Sequence, residues 1–568
     1  MVTSPRNLHR RPRPRPMRRE PFGMSAGASP LSATEHTFDG GSRYRLRDLF
    51  TPLDTLLASG GDPRLALDPD DRVNAYGCAA SPEPELWNFA SATASTISQM
   101  AYDRAALARE ELMHKCLFDE VEIAFDARCE DMREELRGHL ALSSRIDVVF
   151  SPSGTDSQLH ALFVARAVLG AAPVTIVVGA DQTGSGTPHT ARGHHFSTMT
   201  AGGIAVRKDG AVTGLAGDSI AVPLIDMAAG LAADIAMRTD ADAAVLRAVE
   251  TSLAQGRRVL LQIMDSSKLG WRAPSEACLD EIARRWPRKV QIVVDACQVR
   301  LGRRRLRAYL DRGYMVLITG SKFFGGPAFS GALLLPKGLS RSIDRIGRIA
   351  PGMFDYAGRC DWPMAWTTLR SRFERRPNFG QWLRWEAALA EIGSYAVPGA
   401  FRARMLAELA AGIDSMIALS PSLRAVPTAT EKSGADDEEF AQATIFPFTL
   451  LRGGKPVSIA ETSAVHRALA RDMAVEINGS AADRQVAAQR CLVGQPVRLE
   501  RQDGAPQTVL RLCVGARLVT EAWSPDAMQT QRNVQQVLDR IAHVLVKIEL
   551  LLDRGAVAAA PVKPAFEV

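Results

Sequence analysis

VQIVVDACQVRLGRRRLRAYLDRGYMVLITGSKFFGGP, residues 290–327, holds two apolar runs, Val290–Val294 with only Gln291 polar and Met315–Ile318, on either side of a basic helical stretch. Val/Ile/Leu-rich runs of this length suit strands covered on both faces, and a helix between them suits a strand–helix–strand crossover. Each run ends in polar residues, Asp295 after the first and Thr319-Gly320-Ser321-Lys322 after the second. Working outward, similar runs recur at Ile146–Phe150, Val174–Val178, Ile220–Leu224, Val259–Met264 and Gly331–Leu335. The alternation predicts an α/β fold whose large domain is a mixed, mostly parallel sheet flanked by helices.

Before this sheet the apolar spacing from about 97 to 142 is helical, a long lead-in. After it, helical periodicity from Trp382 to Leu419 is interrupted near Pro398. Strands are expected near Thr444–Leu450, Val475–Ile477 and Val509–Val514, with a final helix from Thr530 to Leu552. That reads as a smaller α+β C-terminal domain. The expected division is a basic disordered tail over 1–45, a large domain over 46–395, a small domain over 396–555 and a tail over 556–568.

The chain has 568 residues and a net charge of +6. Residues 1–24 hold seven arginines and one glutamate, which accounts for the whole excess and leaves the rest neutral. Composition therefore gives no basic face for nucleic acid, and none is expected as a partner. No apolar window is long enough to span a bilayer, so no membrane partner is expected either. The first residues alternate Arg with Pro, which breaks the amphipathic helix of an organelle-targeting peptide, and no apolar signal-peptide core follows. The start is read as a disordered tail, an over-extension upstream of Met24. Eight scattered cysteines without a Cys-x-x-Cys pair suit a reducing compartment, so a cytoplasmic location is expected and no metal site.

Three segments carry chemistry. The run Ile146–Phe150 leads into Ser151-Pro152-Ser153-Gly154-Thr155-Asp156-Ser157 and then a helical stretch. Small residues at a helix start expose backbone N–H groups and hydroxyls, which suits a phosphate; an ordinary N-cap reads the same way. Asp295 stands where α/β folds place ligands, and a buried carboxylate there needs a cation, from a ligand or from Arg300, Arg303 or Arg304. Lys322, between Gly-Ser and two phenylalanines, is expected to be desolvated, which lowers its pKa and frees the amine to attack an aldehyde. Thr319 and Ser321 could add hydroxyls to the phosphate site.

In this order the three motifs resemble the fold-type I enzymes that use pyridoxal 5′-phosphate (PLP), and within them the class V aminotransferase branch with cysteine desulfurases and kynureninase-like lyases. The resemblance covers roughly residues 70–520. It implies that Lys322 holds the cofactor as a Schiff base, that Asp295 pairs with the pyridine nitrogen, that Gln298 approaches the ring hydroxyl, and that Ser153, Gly154 and Thr155 bind the phosphate. It further implies Ser267 as a polar contact of the cofactor, Gln182 or His189 near the ring, and Arg376 where relatives place a threonine that reaches the neighbouring subunit's phosphate. Arg511 takes the place of the arginine that grips a substrate carboxylate, and Asn74 and Tyr76 lie in a segment that folds over the site.

The implied activity is that of a PLP-dependent transferase on an amino acid or related amine, aminotransferase-like, in a homodimer. A lyase reaction stays open. So does cysteine desulfuration, for which Cys491 is the candidate thiol, although it lacks a flexible loop. A protein that keeps the fold and only binds PLP is the reading from another class. No Gly-x-x-x-x-Gly-Lys-Ser/Thr occurs, and Gly184-x-Gly186 lacks the third glycine of a dinucleotide site.

Overall fold

A computed structural model describes residues 46–227, 235–336, 338–428, 438–499 and 506–554, and the expected tails lie outside these. The described residues form one compact unit. In chain order its strands are β1 (Trp87–Phe89), β2 (Asp147–Ser151), β3 (Pro173–Val178), β4 (Ser219–Val222), β5 (Ile225–Met227), β6 (Ile235–Met237), β7 (Arg258–Met264), β8 (Val290–Asp295), β9 (Met315–Thr319), β10 (Gly331–Leu335), β11 (Leu423–Ala425), β12 (Ile445–Arg452), β13 (Lys455–Pro456), β14 (Cys491–Leu499) and β15 (Gln507–Cys513).

Seven strands make the large sheet, in the order β2-β10-β9-β8-β7-β3-β4. Only β10 runs against its neighbours β2 and β9; the other pairs are parallel. This is the mixed, mostly parallel α/β sheet expected from the apolar runs. Every residue of β3, β9 and β10 is buried, because helices cover both faces. The helix Gly154–Leu169 buries both its apolar residues and Asp156, Ser157, Gln158 and His160.

The lead-in is two helices, Gln99–Lys115 and Val121–His139, where the periodicity suggested one long segment. Both pack against the helix Phe379–Ser394, whose fully buried Glu386 receives Arg104 at 2.8 Å and Arg128 at 2.5 Å.

The second sheet has the order β1-β14-β15-β12-β11, with β13 paired to β12. Its outer strand β1 comes from the chain before the large sheet, so this layer is not built from the C-terminal part alone. Two expectations need correction here. Residues 475–477 join no strand: Ala474–Glu476 form a turn, Val475 is 96% exposed, and Asn478-Gly479-Ser480 follows at once and starts the next helix. Conversely Arg490–Val497, whose sequence suggests a strand entering a turn, belongs to one long strand, Cys491–Leu499, interrupted by a bulge, since Gly494 pairs with Arg511 and the next pair is Val497 with Val509.

Candidate active site

The parallel strands β7, β8 and β9 end on one edge of the large sheet, and β2 ends on the same edge before its helix begins. A cavity of about 1010 Å³ opens there, and the bulge of β14 together with β15 closes it from the other side. Its wall includes Ser153, Gly154, Thr155, Asp295, Gln298, Thr319, Ser321, Lys322, Tyr76 and Arg511. Ten residues singled out from five separate stretches of sequence thus share one space.

The helix start forms one end of the cavity. Ser153 caps it, its Oγ accepting from Asp156 N–H at 3.2 Å and donating to Asp156 Oδ2 at 2.5 Å. Residue 154 must be glycine: a Cβ there would come within 2.7 Å of Cys297 Sγ and 3.3 Å of Thr319 Cγ2. The close approach brings the first N–H groups of the helix, which have no partner inside it, against the strand ends. The Thr155 and Ser321 hydroxyls make no bond to protein among the described residues, whereas Thr319 donates its proton to the Cys297 carbonyl at 2.7 Å and acts as a brace. Burial holds the Asp156 carboxyl up at about 7, with the nearby Asp62 adding to the shift and the Ser153 bonds opposing it.

Asp295 closes β8 and is 8% exposed. Its Oδ1 accepts from Cys297 N–H at 3.2 Å, and its Oδ2 accepts from Gln158 and Gln262 at 3.4 Å each. Among the described residues no cation lies within 4 Å of it, so Arg300, Arg303 and Arg304 do not fill that role. Arg300 instead donates to the carbonyls of Thr444 and Val514 and to Ser91.

Lys322 follows β9 on a loop held from three sides. The Lys322 carbonyl accepts from Gly325 N–H at 2.9 Å, and Ala516 N–H donates to the Phe323 carbonyl at 2.7 Å. Arg517 donates to the Gly325 carbonyl, to the Thr96 carbonyl at 2.8 Å and to Glu391 Oε1 at 2.8 Å. Burial pushes the Lys322 amine below its ordinary pKa, and Arg511 and Arg300 push the same way against Cys297 and Asp295.

Arg511 is 3% exposed and has no carboxylate partner among the described residues. It donates to Thr93 Oγ1 at 3.0 Å, to the Gln495 carbonyl at 2.9 Å and to the Lys268 carbonyl at 3.4 Å, while its Nε finds no acceptor. The β14 bulge is what turns the Gln495 carbonyl toward it.

Other expected residues lie elsewhere. Ser267 is not on the cavity wall: its hydroxyl donates to Gln182 Oε1 at 2.7 Å, so Gln182 faces the cavity. Asn74 also stands back, its Oδ1 accepting from Tyr76 N–H at 2.9 Å and shaping the turn that presents Tyr76. His189 pairs with Asp209 at 2.9 Å and Arg376 donates to the Phe354 carbonyl at 3.2 Å, both away from the cavity. Cys491 is buried in β14, where its thiol is pushed up to about 12 by burial. Arg64, Gln158, Lys268 and Cys297 line the cavity without having been singled out from sequence. Arg64 is held by Asp62 through two bonds of 2.9 and 2.6 Å. Among the described residues no group of three His, Cys, Asp or Glu side chains is placed to hold a metal ion, and no helix is long and apolar enough to cross a membrane.

No family model matches the sequence, and no curated protein does. Among solved structures the chain is similar to mouse CSAD at 15% identity, covering 82% of this chain and 85% of that one with a TM-score of 0.46. It is similar to a phosphoserine aminotransferase SerC from Cytophaga hutchinsonii at 14% identity, 81% and 99% coverage and a TM-score of 0.42. It is similar to Catharanthus roseus tryptophan decarboxylase at 15% identity, 81% and 83% coverage and a TM-score of 0.43. Similarity at this level carries no functional argument, and the case for function stands on the cavity itself.

Proposed function

We propose that the chain is a PLP-dependent enzyme acting on an amino acid or related amine, aminotransferase-like, with the cofactor attached at Lys322. The observation that carries this reading is Asp295, a buried carboxylate that is hydrogen-bonded but has no cation within 4 Å among the described residues, on the same wall as a lysine whose amine is desolvated. A protonated pyridine nitrogen supplies the missing charge, and an aldehyde supplies the amine's target. The buried atoms Gln298 Oε1 and Gln182 Nε2, both on the cavity and both without a partner among the described residues, add an acceptor and a donor for a polar ring. The residues present therefore fit the cofactor.

When bound, PLP supplies an electron sink for bonds broken at the substrate's Cα. The chain's residues do the rest. Asp295 keeps a proton on the ring nitrogen. The first N–H groups of the helix at Gly154 and Thr155, with the Thr155 and Ser321 hydroxyls, bind the phosphate. Arg511 grips the α-carboxylate in its planar fork. Lys322 Nζ, uncharged more readily than an exposed lysine, takes and returns a proton at Cα.

We also propose a homodimer in a reducing, cytoplasmic setting. Phe50, Leu107, Leu117, Phe118 and Ile123 are 49–89% exposed on neighbouring segments, and all eight cysteines are free.

Titration of purified chain with PLP, followed by gel filtration, tests the reading. A visible absorbance band that stays with the native chain and is missing in Lys322→Ala supports it, and turnover of amino acids with a keto-acid acceptor supports the transferase assignment. No retained band, or the same band in Lys322→Ala, overturns it.

A further inference from the structure

The substrate side of the cavity holds more positive charge than one carboxylate can use. Arg511 is buried without an acid partner, and Lys268 lines the same wall from the turn after β7. Among the described residues no carboxylate lies within 4 Å of the Lys268 amine, which makes no hydrogen bond to protein. Arg467, on the helix Ile459–Leu469, adds a third such cation at the rim. Asp472 also lines the cavity but spends its Oδ1 on Ala474 N–H.

The position of Lys268 is fixed. Its N–H donates to the Gln182 carbonyl at 3.4 Å, its carbonyl accepts from Arg511 at 3.4 Å, and Ser267 N–H closes the turn onto the Trp271 carbonyl at 2.8 Å. Burial, with Arg511 and Lys322 adding to it, lowers the amine to about 8. A cation held among cations at this cost calls for an anion that arrives with the ligand.

The cofactor's phosphate is not that anion. The phosphate cradle at Gly154 and Ser321 belongs to the helix after β2 and to the end of β9. Lys268 follows β7, on the opposite side of β8 and its Asp295, in the sheet order β2-β10-β9-β8-β7-β3-β4.

We propose that the substrate is an amino acid whose side chain ends in a second anionic group, held by Lys268 while Arg511 holds the α-carboxylate. This rests on the reading of Arg511 given above. A second charge-assisted contact should tighten binding about tenfold or more.

The test uses ligands that carry no amine, so that binding is separated from turnover. Calorimetric affinities of succinate, 3-sulfopropionate and 3-phosphonopropionate are compared with that of butyrate, on the chain with and without PLP. At least one dianion is expected to bind about tenfold more tightly than butyrate, and which one does so identifies the terminal group. Lys268→Met should remove the preference while leaving butyrate within about twofold of native, and Lys268→Arg should keep it. Equal binding of dianions and butyrate, a preference that survives in Lys268→Met, or a Lys268→Met loss shared equally by butyrate would each overturn the proposal. Failure to take up PLP overturns the proposed function alone, because the anion comparison is also made without cofactor.

Discussion

Ser267 Oγ donates to Gln182 Oε1 at 2.7 Å and accepts from the N–H groups of Leu269 and Trp271 at 3.1 and 3.0 Å. One hydroxyl thus orders both the turn that carries Lys268 and the glutamine that faces the cavity. Ser267→Ala leaves three buried polar groups without partners. A loss of about 1–3 kcal/mol is expected, read as a lower urea midpoint at unchanged slope.

Lys322 opposes folding when no cofactor is bound. Its folded pKa lies below its unfolded value, so folding releases a proton and the lysine's cost to stability fades as pH rises. Cofactor-free Lys322→Met is expected to melt at or above the native temperature at pH 7, with the gap narrowing toward pH 10. Calorimetric melting at both pH values checks this, and a variant that melts well below native at pH 7 would contradict it.

What could be read from sequence follows from what is local. Strands β7 to β10 announce themselves because both faces are buried and a single glutamine each, Gln262 in β7 and Gln291 in β8, is all that interrupts their apolar runs, and Asp295 and Lys322 stand out as polar residues at or just past the ends of such strands. The resemblance implies Ser267 as a polar contact of the cofactor, and it lies one residue from Ser266 and Lys268 on the cavity wall. Only the hydrogen bond to Gln182, 85 residues away in sequence, shows that it stands behind. Arg64 and Lys268 could not be selected because no spacing ties them to the other cavity residues. The three-residue strands β1 and β11 exist only through their partners, whereas the apolar residues of 475–477 had no partner strand to join.

Asp295→Asn keeps the volume and removes the charge. If the carboxylate holds a proton on the cofactor ring, turnover should fall on the order of 10²- to 10³-fold while some cofactor remains bound. Steady-state kinetics with a cofactor titration decides this, and native turnover in the variant would remove Asp295 from the chemistry.

Asp156 would give the proposed phosphate cradle a pH dependence. Its folded pKa of about 7 is above the unfolded value, so the stability linked to it is fully present near pH 4 and is lost as pH rises through 7. Above 7 the ionised carboxylate also repels a phosphate at the same helix start. Affinity for PLP should therefore weaken between pH 6 and 8.5, and Asp156→Asn should flatten that slope in fluorescence titrations.

The clamp on the lysine loop also sets an order of events during synthesis. Arg517 and Ala516, which hold Gly325 and Phe323, leave the ribosome nearly two hundred residues after the loop they fix. A nascent chain that stops short of them carries its reactive amine on an unanchored segment. With the vitamin-derived aldehyde held at Lys322 as proposed, its loading would be a late step, and a fragment cut before residue 516 should stay colourless in its presence.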